Sequence, residues 1–231
     1  MQKILMAGLL SALATGAAAE SASLLVYQVW EQGTEPYVSR VIVTDDYLRL
    51  DEGADEGGYT LFDRRQEILY NVSPDDRSVL VMEHSVPVGE QNQGLILQEE
   101  VKVDAKAPTV AGQQPKNVRL MANGELCAEL VVIEGVMQDA VDALSELKLA
   151  LARIQAATLQ AMPLDMRTPC DLAANVYAAD RSLRFGLPLQ ERSEGRSQSL
   201  VDFRPDYEVD EGLLALPQDF DRRPMFVPGG I

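Results

Sequence analysis

The sequence predicts an α+β fold, a curved antiparallel β-sheet (an incomplete barrel) with two helices packed on one face. Three observations carry that reading. Val41 to Met82 is a run of short Val-, Ile-, Leu-, Tyr- and Phe-rich segments separated by turn signals, the pattern of an antiparallel meander. From Gly135 the apolar period changes from two to three and four, the mark of an amphipathic helix. Asn123-Gly124, a strong short hairpin signal, sits between two further apolar runs. One domain is expected over residues 20–218, because a chain of this length can bury one good core and no domain-sized linker interrupts it.

Residues 1–19 read as a secretory signal peptide. Lys3 supplies the positive region, Ile4 to Ala14 the apolar stretch, and Ala17-Ala18-Ala19 the small residues of an A-x-A site. Cleavage is expected between Ala19 and Glu20. The apolar stretch is shorter than the roughly 20 residues a membrane-spanning helix needs. No cysteine follows it to accept a lipid. These features place the chain in the bacterial periplasm.

The first strand is expected at Leu24–Trp30. Val41–Val43 reads as a second, with Tyr47–Leu50 continuing it beyond a kink at Asp45-Asp46. Gly57-Gly58, Asp63–Gln66 and Ser73–Asp76 are turn signals between Tyr59–Phe62, Ile68–Val72 and Val79–Met82; Pro74 suits a turn through its fixed φ. Glu90–Gln93 reads as a loop. Leu95–Leu97 and Val101–Val103 form one long strand broken by Glu99-Glu100, and the Asn-Gly hairpin joins Asn117–Met121 to Leu126–Ile133.

Met137, Ala140, Leu144, Leu147, Leu151, Ile154, Thr158 and Ala161 then mark one face of a long helix ended by Pro163. Its flanks are alanines (Ala143, Ala150, Ala157) rather than charged pairs, which suits a helix lying on a sheet better than a coiled coil. Thr168-Pro169-Cys170-Asp171 opens a second helix with a capping Thr, a proline in the first turn and an acid three residues after the cap. Gly186 ends it. Leu187–Ser193, Ser197–Phe203 and a short Leu213–Leu216 complete the strands. Residues 219–231 read as a disordered tail.

The formal charge of −16 works against binding to phosphate backbones and anionic headgroups, so no nucleic-acid partner is expected. The two cysteines, Cys127 and Cys170, lie outside any C-x-x-C motif and suit one structural disulfide in an oxidising compartment. No catalytic, metal-ligating or cofactor-binding residue is assigned. His84 is the only histidine, which excludes zinc sites with two histidine ligands, and there is no nucleophile elbow, P-loop or G-x-G-x-x-G. The acidic run Asp51–Gly58 fails the calcium-loop pattern, since Gly53 stands at the second ligand position. Asp45-Asp46 and Asp75-Asp76 read as turns, and Arg64-Arg65 and Arg222-Arg223 as solvated pairs. Trp30, Tyr47, Tyr59, Phe62 and Tyr70 are either plain core or the lining of a ligand cavity.

One resemblance follows from the meander. The segments Val41–Asp51, Gly58–Arg65, Ile68–Val72 and Asp76–Val81 together resemble a group of exported bacterial proteins of unassigned activity. More distantly they are similar to the outer-membrane lipoprotein carriers, which wrap an incomplete barrel around helices. The likeness is best over Val41–Met82 and faint at Leu216-Pro217 and Asp219-Phe220. The helical insert bracketed by the cysteines departs from the carrier pattern, and no carrier binding residue maps onto this chain. The resemblance implies a non-enzymatic envelope protein that takes an apolar ligand or acyl chain, with a lipid or lipoprotein as partner. The alternatives are an interaction module for another envelope protein and a hydrolase built from scattered carboxylates. An outer-membrane barrel fits poorly with charged strands and two helices.

Overall fold

The computed structural model describes residues 19–83, 94–159, 163 and 167–225. The leader up to Ala18, His84, the Glu90–Gln93 loop, Ala161 and the last residues from 226 lie outside the described residues. In the first strand, β1 (Ala19–Glu31), Leu25, Tyr27 and Val29 point to one face and Leu24 and Val26 to the other. β1 pairs antiparallel with β2 (Tyr37–Val43), which starts a meander through β3 (Tyr47–Asp51), β4 (Tyr59–Asp63), β5 (Ile68–Ser73) and β6 (Ser78–Met82). β7 (Leu97–Val103), β8 (Lys116–Ala122) and β9 (Glu125–Ile133) make a second antiparallel group. After the helical region come β10 (Leu187–Ser193) and β11 (Arg196–Asp210), which pairs with β1. With a last short strand, β12 (Asp221–Pro224), the result is a single 12-stranded open sheet, ordered β12-β6-β5-β4-β3-β2-β1-β11-β10-β9-β8-β7.

The long helix α1 (Gln138–Thr158) buries Ala140, Ala143, Leu147, Ala150 and Ile154. These join Leu25, Val29, Val43, Leu48, Phe62 and Leu69 in one apolar cluster against the first face of the sheet. The opposite face is covered too. Ile42, Leu61 and Leu24 pack with Leu213, Leu214 and Leu216, a strap that follows β11.

Several expectations are corrected. Asp45-Asp46 is not a kink in one strand. It is the apex of a tight β2–β3 hairpin, closed by Thr44 N–H donating to Tyr47 O at 2.9 Å and Tyr47 N–H to Thr44 Oγ1 at 3.2 Å. Glu99-Glu100 does not break β7, because β7 is an edge strand whose side chains are mostly exposed and charges there cost little. The second helix is not continuous. The four-residue α2 (Pro169–Leu172) leads into a π turn at Ala173–Tyr177, and a separate 3-10 helix spans Arg181–Phe185. Ala178 leaves helical geometry at φ −148°, and the buried Arg181 guanidinium is spent on Glu99 Oε1 (2.8 Å), Met121 O (3.0 Å) and Gln98 O. Tertiary partners on β7 and β8 thus outweigh local helix propensity.

Leu213–Leu216 is not a strand either. Residues Glu211–Leu214 form a 3-10 turn whose entry is capped by Asp210 Oδ1, accepting from Gly212 N–H at 2.7 Å. The expected disordered tail is ordered as far as residue 225. β12 adds to β6 in parallel, held by Asp221 N–H on Arg77 O (2.9 Å) and Met225 N–H on Val81 O (2.8 Å). Arg77 anchors it by pairing with Asp219 at 2.5 Å and lying over the Phe220 ring.

Candidate ligand cleft

The meander fixes which turns share an end. The β1–β2, β3–β4 and β5–β6 turns lie at one end of the sheet, and the β2–β3 and β4–β5 turns at the other. At the second end the first face is filled by Val43, Leu48, Phe62 and Leu69 with Met137 and Ala140. Toward the first end a cleft of about 1140 Å³ opens between the sheet and α1. Its sheet wall carries Tyr27, Tyr37, Val41 and Leu50, and its helix wall Leu144, Leu147 and Leu151.

Several polar groups of the cleft are tied to one another. Glu31 Oε1 accepts from the Tyr37 hydroxyl and from Arg196 Nε, both at 2.9 Å. Glu191 Oε2 accepts from Gln198 Nε2 at 3.0 Å, and Lys148 Nζ donates to Ser182 Oγ at 3.0 Å. Burial, with the Glu31 carboxylate beside it, pushes the Tyr37 phenol above its ordinary pKa even though Arg196 pulls the other way. Tyr27 is 4 % exposed and donates to Pro188 O at 3.1 Å; burial and then the Glu191 charge raise its pKa strongly. Both phenols therefore stay neutral donors at neutral pH.

A second cleft of about 400 Å³ shares Lys148, Leu151, Glu191 and Arg196 with the first and extends toward the π turn. Its wall includes the Cys127–Cys170 disulfide, which joins β9 to α2 across 43 positions. The disulfide expected from the cysteine count is present.

No family model matches this chain, and no curated protein does. Among solved structures it is similar to an uncharacterised conserved protein from Thermus thermophilus, at 11 % identity and TM-score 0.44 over 89 % of this chain and 91 % of that one. It is also similar to PNGF-II, at 9 % identity and TM-score 0.40, over 89 % of this chain but 31 % of that chain's length. Likenesses this low carry no argument about function, and neither protein is described as a lipoprotein carrier.

The aromatic residues singled out in the sequence do not come together in the cleft. Tyr47, Tyr59 and Tyr70 pack with the opposite face, Tyr59 also bordering the cleft from the start of β4; Phe62 is fully buried in the core, and Trp30 is 43 % exposed. Tyr59 also donates to Ala215 O at 2.9 Å and lies under the Arg49 guanidinium, fixing the strap. Of the helix face, Leu144, Leu147 and Leu151 do reach the cleft. Glu31 and Arg196 carried no sequence signal, being 165 positions apart.

The paired acids and bases are dispersed. Asp45 and Asp46 sit at the far end of the sheet, and Asp75 is an exposed turn residue at the cleft mouth. Arg64 is not a solvated base: it bonds Glu146 at 2.7 and 3.0 Å and Thr44 O at 2.8 Å, tying the β4–β5 turn to α1. The Glu146 carboxylate raises its pKa against the opposing effect of burial. Among the described residues no group of His, Cys, Asp and Glu is placed to hold a metal, and no helix is long and apolar enough to cross a membrane.

Proposed function

We propose that this is an exported, non-enzymatic periplasmic protein that binds an apolar ligand or acyl chain between the concave face of a half-barrel and its covering helices. The observation that carries the reading is the cleft itself. It is closed by packed core at one end, open at the other, and walled by Leu50, Val41 and the Leu144–Leu147–Leu151 stripe of α1. Ligand sites are commonly concave, largely apolar and about 300–1,000 Å³, with a few placed polar groups. A chain laid along the leucine stripe gains about 0.8 kcal/mol for each methylene removed from water. The signal-peptide reading of residues 1–19 and the disulfide support an oxidising compartment outside the cytoplasm.

The test is native mass spectrometry of protein purified from the periplasm without detergent, followed by titration with dodecyl maltoside below its micelle concentration. An amphiphile adduct, or saturable one-to-one uptake that Leu151→Arg removes while circular dichroism stays unchanged, is expected. No adduct and no saturable uptake would refute the binding function.

A further inference from the structure

We infer that the cleft selects an amphiphile with a cationic head, such as a quaternary ammonium. The inference rests on the ligand-binding reading and assigns the chemistry of its ligand from the charge of the mouth. Three hairpin turns meet at the open end, and each contributes carboxylates to the cleft lining: Glu35 from β1–β2, Glu52 and Glu56 from β3–β4, and Asp75 from β5–β6. All four side chains belong to exposed residues, and no ion pair neutralises them among the described residues.

The basic side chains lining the same cleft are Lys148 and Arg196. Arg196 already pairs with Glu31 at 2.9 Å, and Lys148 donates to Ser182. Lys148 keeps its charge and two further donors, but it stands on α1 beside the leucine stripe rather than among the turns. A ligand whose tail occupies the leucine stripe leaves its head among the turns, where the nearest uncompensated charges are negative. The Tyr37 ring lies at the sheet wall of that cleft, with its hydroxyl held by Glu31. Aromatic faces add attraction for alkylammonium groups. Apolar tail burial and head charge therefore favour the same orientation, tail toward Leu147 and head toward the turns.

The experiment compares three ligands of one chain length by isothermal titration at low salt: dodecyltrimethylammonium, dodecyl maltoside and dodecanoate, each below its micelle concentration. Exposed carboxylates, partly screened, predict binding of the cation about fivefold tighter than the neutral ligand, with the anion weaker again. The advantage shrinks as salt is added. In the Glu52→Gln, Glu56→Gln, Asp75→Asn triple variant, whose changes lie in solvated turns, the cation-to-neutral ratio falls toward one. Dodecanoate binding as tightly as the cation would overturn the inference and leave the cleft reading standing. So would a cation preference that the triple variant retains in full. Saturable binding of none of the three overturns both.

Discussion

The Arg49–Asp51 pair on the opposite face of the sheet offers the sharpest stability test. Arg49 is 1 % exposed and Asp51 4 %. Arg49 Nε donates to Asp51 Oδ2 at 2.6 Å, while its Nη1 reaches Leu213 O at 2.6 Å and its Nη2 Asp55 O at 3.2 Å. Arg40 grips the same carboxylate with two bonds of 2.8 Å, and Gly53 N–H donates to it at 2.8 Å. Asp51→Ala therefore strips the counter-charge from the buried Arg49 and leaves Arg40 with Asp55 alone, at 2.7 Å. Removing one partner of a buried pair costs about 3–5 kcal/mol, which for a chain of this size lowers Tm by roughly 10 °C. Arg49→Met should cost less, because Arg40 and Gly53 still serve Asp51 and the lost groups are chiefly the Leu213 and Asp55 carbonyl bonds. The double variant should fall short of the sum of the singles by about 1–3 kcal/mol, since neither charge is then left alone. Denaturant unfolding read at constant m would measure all three. An Asp51→Ala cost under about 1 kcal/mol, or strict additivity, would refute the account of a buried, mutually dependent network. The network also has a pH signature. Burial opposes ionisation of Asp51, but Arg40 and Arg49 hold its pKa below the ordinary value. Its contribution is complete above the unfolded carboxylate pKa near 4 and is lost as pH falls from there through the folded value.

Three further outcomes are expected. Reducing Cys127–Cys170, or replacing both with serine, should lower stability by about 4 kcal/mol in the chain-entropy model, measured as a shift in denaturation midpoint. Gly186→Ala places a Cβ 2.1 Å from Ile133 O at φ +108°, so the 3-10 helix and the start of β10 must separate from β9; the soluble yield should collapse, whereas Gly33→Ala, with nothing within 4 Å, should cost no more than its positive φ, about 1 kcal/mol. Tyr27, with its raised pKa, contributes stability that is present below pH 10 and lost as pH rises beyond it toward the folded value. An ultraviolet titration of Tyr27→Phe against the parent should show one phenol missing only from the transition that accompanies unfolding.

What the sequence could show followed from how local each signal was. The meander, the Asn-Gly hairpin and the α1 period were legible because each depends on neighbours in the chain, and the strands from Tyr59 to Met82 stand where those signals put them. The turn at Asp45-Asp46 was legible from the acidic pair, but not that it reverses the chain into a separate strand, because the closure uses Thr44 and Tyr47, residues with no strong turn preference. The break in the second helix was hidden because Arg181 answers to Glu99, Met121 and Gln98, more than 50 positions away. The strap and β12 escaped for the same reason: Pro, Gly and Asp content looks solvated until Arg49, Tyr59 and Arg77 supply partners. In the site, the leucine stripe was visible, but which tyrosines would face it depended on strand parity. Tyr27 shares its face with Leu25 and Val29, whereas Trp30 falls on the other, and no local pattern says which face α1 will take.

The pairing of β1 with β11 has a consequence for how this molecule comes into being. Leu25 finds its partner in Phe203 and Val29 in Gln198, so the middle of the sheet is stitched from the two far ends of the chain. The segments between them pair in sequence order, as hairpins that can zip quickly and separately except where β10 returns to β9 across the helical region. They remain two half-sheets with raw inner edges until β11 arrives. A chain threaded through a membrane from its N-terminus would hold the β11 side of β1 unpaired for nearly the whole of its passage. During that interval the open edge of Leu24–Trp30 can pair with another chain, and a chaperone that shields a nascent strand would act there.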